Sequence, residues 1–78
     1  MTTQELVDLV MRSSKHDVRK GILEPRENIQ AAVNLAGLCR YHASIGMTSE
    51  AFNASEDQWT EVIAELNKMN AALPADGL

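Results

Sequence analysis

Apolar positions recur along this chain at intervals of three and four residues, and nowhere do they alternate with polar ones for the length of a strand. That period predicts helices. In the first segment Leu6, Leu9, Val10 and Met11 mark an apolar side, and Thr2-Thr3-Gln4-Glu5 ahead of it has the form of a capping box. There a threonine hydroxyl accepts from one orphan amide, and a glutamate three residues on accepts from another. Asp8 and Arg12 stand four apart, the spacing of a favourable ion pair. At about 100° per residue, Ser13 and Asp17 then fall where apolar groups should continue, so the later part of this helix is expected to overhang, bend or end early. Gly21 is the expected cap.

A second helix is predicted from Glu24-Pro25 to Ile45, with Gly46 as its cap. Ile29, Ala32, Val33, Ala36, Cys39 and Ala43 share one side, and Ala31, Leu35, Leu38 and Ile45 extend the apolar arc on the other. Gln30, Asn34, Gly37, Tyr41 and Ser44 fill the remaining third or so of the circumference. A helix so apolar is expected to be central and shielded around most of its girth. Glycine inside it costs up to about 1 kcal/mol against alanine. Gly37 therefore suggests the close approach of another backbone, with Ala32, Ala36 and Ala43 nearby.

Thr48-Ser49-Glu50-Ala51-Phe52 reads as one short helical turn, with Met47 and Phe52 placed to staple across Thr48. Ser55-Glu56-Asp57-Gln58 is a second capping box, and its two acids lie where the helix dipole favours them. Trp59, Val62, Ile63, Leu66, Met69 and Leu73 form the narrow stripe of a third helix, which Pro74 ends. Trp59 lies mid-stripe, which favours a core role over that of an exposed interface anchor. The expected fold is thus an all-α, small three-helix bundle with a short extra helical turn before the last helix. Residues 1–74 form its single domain and 75–78 a frayed tail.

Composition narrows the functional classes. The chain has 78 residues and a formal net charge of −4. A domain of this size has a thin stability margin, for which self-association is one remedy. The single cysteine permits no intrachain disulfide, and no apolar run is long enough to cross a membrane. The N-terminal stretch lacks the pattern of a signal peptide. A cytoplasmic setting is the expectation. Charge is unevenly spread: residues 12–26 carry five basic and two acidic side chains, and residues 48–78 one basic and six acidic.

Candidate chemistry is confined to the stretch LCRYHASIG, where Cys39 and His42 lie three residues apart. On the helix projection both point to packed surroundings and diverge by about 60°. They read as a buried cysteine and a boundary histidine rather than a nucleophile and its base. A zinc site wants four ligands, and the set that could be drawn needs Cys39 and His42 joined by His16 and Asp17. No catalytic residue, metal or cofactor is expected.

What remains is binding. The favoured expectation is a small acidic adaptor or inhibitor of a larger, nucleic-acid-handling protein, of the compact kind that phages and mobile elements encode. Glu56, Asp57, Glu61 and Glu65 would face a basic groove on that partner, where complementary charge speeds encounter. One alternative is a helical oligomerisation or assembly subunit, suggested by the wide apolar arc of the second helix. The other is a nucleic-acid-binding regulator using Arg12, Lys15, Arg19 and Lys20, in which the basic stripe would contact phosphate or an acidic partner. Overall acidity and the scarcity of aromatics weigh against it.

Overall fold

The computed structural model describes residues 1–16 and 25–73. Among them are three α-helices: α1 (Thr3–His16), α2 (Pro25–Ser44) and α3 (Glu56–Ala72). Each pair of helices is in contact, and α2 packs most extensively against α3. Side-chain bonds fix the directions. Arg26 at the start of α2 donates to Asn70 Oδ1 near the end of α3 at 2.9 Å, so these two helices run antiparallel. Thr3 Oγ1 at the start of α1 donates to Glu61 Oε2 of α3 at 3.0 Å, and Met11 near its end meets Asn28 of α2. The topology is therefore up-down-up, a small bundle as the helical periodicity predicts.

The starts and stops are set locally. At α1 the capping box closes in both directions: Glu5 N–H donates to Thr2 Oγ1 at 3.1 Å, and Thr2 N–H donates to Glu5 Oε1 at 2.9 Å. Those bonds, the backbone donor first and the threonine side chain second, hold the Glu5 carboxyl below the usual carboxylate range. At the far end of α2, Gly46 takes φ +77°, a conformation natural to glycine. Its N–H donates to Ala43 O at 3.2 Å and that of Met47 to His42 O at 2.8 Å. This double closure is a Schellman motif, and it reverses the chain toward α3. The turn expected before α3 is a single one, in which Phe52 N–H donates to Ser49 O at 3.3 Å.

Two of the local expectations change. Met47 does not staple to Phe52; its side chain is exposed, and the Phe52 ring instead packs on Trp59 with centroids 6.3 Å apart. The box at α3 is one-sided. Ser55 Oγ accepts from Gln58 N–H at 3.1 Å, but the Gln58 side chain reaches across to donate to the Met1 carbonyl rather than back to its own cap. Tertiary contact has taken the group that the local motif would have used.

Trp59 is fully buried and forms the core with Leu6, Val7, Val10, Ile29, Ala32, Ala36, Cys39, Val62 and Leu66. Its role is packing, not display. Val7 belongs to this core although the expected face of the first helix omitted it. The reason is geometric: Leu6, Val10, Ser14 and Val7 span about 100° of α1, with Leu9 and Met11 at the flanks. Ser14 falls within that arc, between Val10 and Val7, buried, with its hydroxyl donating to Val10 O at 2.6 Å. A polar residue can lie there because its donor is satisfied within its own helix. The helix thus continues through Ser13 and Ser14 to His16, while Arg12 Nε reaches the Asp8 carbonyl at 3.4 Å and the Asp8 carboxylate accepts from Gln4. The expected Gly21 cap, Pro74 stop and frayed tail lie outside the described residues.

The largest correction concerns α2. Its buried side is narrow, comprising Asn28, Ile29, Ala32, Ala36 and Cys39. Leu38 is 55% exposed and Ile45 49%, so the helix is not shielded around most of its girth. Two neighbouring helices leave part of the second apolar arc open: Leu35 still packs against the core, while Leu38 and Ile45 face solvent. Gly37 likewise has no backbone close by, since an added Cβ would meet nothing within 4 Å. The small residues that do lie at the helix contacts are Ala32 and Ala36, both fully buried in the core.

Candidate functional site: two helix surfaces

Cys39 and His42 lie on α2, one turn apart, yet in different surroundings. Cys39 faces the core and is 8% exposed, and burial pushes its thiol pKa above the ordinary value. A thiol so placed is less often the reactive thiolate. His42 is half-buried, and its ring lies against Tyr41 with centroids 5.9 Å apart. Among the described residues no group of three or more His, Cys, Asp or Glu is placed to hold a metal. The side chain of His16 and the whole of Asp17 lie outside the described residues.

The expected acidic face divides. All four acids are on α3, but Asp57, Glu61 and Glu65 fall within about 80° of one another, and Glu56 lies about 100° from Asp57. The trio's side carries a shallow groove of about 450 Å³ lined by Thr3, Gln4, Glu61, Ala64 and Glu65. Two of the acids have partners already: Glu61 accepts from Thr3, and Glu65 pairs with Lys68 at 3.3 Å across an exposed i, i+3 step. Such an exposed pair contributes little and does not neutralise the face. Glu56 instead lines a separate groove of about 240 Å³ with Gly37, Arg40, Tyr41 and Ser44.

The basic stripe is not assembled among the described residues. Arg12 is exposed on α1, Lys15 belongs to the same helix with its side chain outside the described residues, and Arg19 and Lys20 lie outside them altogether.

The surface that the expected sites left out is the uncovered side of α2. Ala31, Leu35, Leu38, His42 and Ile45 follow one another at steps of four, three, four and three residues. That spacing keeps them within about 80° of one another and makes a continuous seam. Leu38, Tyr41, Ile45 and Met47 are 55%, 60%, 49% and 66% exposed, whereas Ala31, Leu35 and His42 are half-buried and Leu35 packs against the core, so the outer edge of the seam and its margin are open to solvent. The signal was in the sequence as the second half of the wide apolar arc. Periodicity alone does not tell a buried arc from one awaiting a partner.

Comparison with protein-family models, with curated proteins and with solved structures finds no match for this chain.

Proposed function

We propose that this chain is a small acidic helical protein-binding module that acts by contact as an adaptor, inhibitor or assembly subunit. The observation that supports the reading is the open apolar side of α2. Water contact at Leu38, Ile45 and Met47 carries a free-energy cost that burial against another protein would remove, at about 25 cal/mol per Å² of apolar surface. Contiguous apolar surface of this kind marks interaction sites more often than chance exposure. The test is capture by the immobilised chain, with wild type and Leu38→Glu compared side by side. Retention of a protein, the chain itself included, that is lost in the variant is the expected outcome. Equal retention by both, or none by either, overturns the reading.

A second reading concerns the acidic groove of α1 and α3. Asp57, Glu61 and Glu65 beside the roughly 450 Å³ groove would suit a basic partner, such as the nucleic-acid-binding surface of a larger protein that this chain inhibits. Retention that falls steeply with salt, and is lost when these three acids become their amides, would support it.

A further inference from the structure

We propose that the α2 seam is the interface of a homodimer, in which α2 of one copy packs antiparallel on α2 of a second. The inference rests on the protein-binding reading above and names its partner. Three observations select a second copy.

The first is charge. Between Asn28 and Cys39 α2 has no charged residue, and Arg40 points about 160° away from Leu38. Two molecules of net charge −4 repel through most faces, but along this seam they meet without opposed like charges. A two-fold interface uses the same patch on both subunits, so that patch must tolerate itself. The seam does.

The second is size complementarity. Paired antiparallel about Leu38, the seam sets Leu38 on Leu38 of the second copy, Leu35 on His42, and the small Ala31 on the large Ile45. Parallel pairing would set alanine on alanine, leaving a gap, and imidazole on imidazole. Antiparallel pairing also opposes the helix dipoles favourably.

The third is extent. From Ala31 to Ile45 the seam is about 21 Å long at the helical rise. A specific interface must clear about 1,000 Å² in all, so the margin takes part: Tyr41 and Met47, 60% and 66% exposed, flank Leu38 and Ile45 along that length. The steps of four and three are those of a coiled-coil seam, where side chains of one helix enter spaces between those of the other.

Sedimentation velocity and equilibrium on the intact chain from about 1 µM to 1 mM test the proposal. The expected result is a monomer–dimer equilibrium whose Kd rises at least 100-fold in Leu38→Glu and falls about tenfold in His42→Leu, with far-UV circular dichroism of the monomers unchanged. If Leu38→Glu loses helicity, Ile45→Glu is read in its place, since Ile45 is also half exposed. A wild-type chain that is monomeric at 1 mM overturns the proposal, as does a dimer whose Kd neither glutamate changes. The two readings fail separately. A strict monomer that still captures a different protein in a Leu38-dependent way refutes the homodimer alone; a strict monomer with no such capture refutes both.

Discussion

Replacing Gly37 with alanine is expected to stabilise the fold. Gly37 lies well inside α2, with no positive φ, and a Cβ built on it would meet nothing within 4 Å. Packing therefore adds neither a clash nor a new contact. What remains is the backbone term: alanine in a helix interior is favoured over glycine by about 0.8–1.0 kcal/mol, because the unfolded glycine has more conformations to lose. For a domain of this size that gain corresponds to a rise in Tm of about 4–8 °C. Gly37 projects about 100° from Leu38, so the substitution does not enter the seam. Thermal and urea unfolding followed by far-UV circular dichroism, at one protein concentration for both variants, measure it. A Tm lowered by several degrees would refute the reasoning, since it would mean that a neighbour lies against Gly37 and that α2 is packed differently from the arrangement described.

Three further outcomes follow from individual groups. The Glu5 carboxyl titrates below its ordinary value in the folded chain, so its contribution is complete above the unfolded carboxylate pKa and is lost as pH falls through the folded one. The stability difference between wild type and Glu5→Gln should shrink between pH 6 and pH 3 (bounds about one unit either side of the usual carboxylate range); a constant difference would contradict the cap. Cys39 should label with an aromatic disulfide only through opening of the fold, and Gly37→Ala should slow that labelling about fivefold, the factor for 1 kcal/mol. Labelling as fast as in denaturant would place the thiol outside the core. Asn28 is 4% exposed; among the described residues its Oδ1 has no hydrogen-bond partner and its Nδ2 meets only the Met11 sulfur, at 3.5 Å. Asn28→Leu, of similar size, should therefore raise stability by about 1–2 kcal/mol in urea unfolding, and a loss would show that the amide is in fact satisfied.

The features legible in the sequence are those decided by a few neighbouring residues. Thr2 and Glu5 cap α1 as their spacing predicts, Gly46 closes α2, and Trp59 at the centre of a narrow stripe is buried. Those not legible depend on where one helix lies on another. The apolar arc of α2 spans about two thirds of a turn, and α1 with α3 cover a smaller part of it; which part was a question of docking. Asn28 falls inside that part and Leu38 outside, against their polarities. Ser14 similarly lies in the core because a hydrogen bond to Val10 supplies what its composition lacks. Of the acidic group, a helix projection separates Glu56 from Asp57, Glu61 and Glu65, but only the tertiary structure places Glu56 beside Arg40 and Tyr41.

The paired alanines at 32 and 36 have a consequence for how this molecule can vary. Any larger side chain there would have to push the neighbouring helices aside, whereas Leu38 and Ile45 project from the opposite flank of the same helix and can be exchanged without disturbing the core. One rod thus carries an invariable inner edge and a freely rewritable outer one. Changes in what the outer edge recognises need not be bought with changes in whether the chain folds.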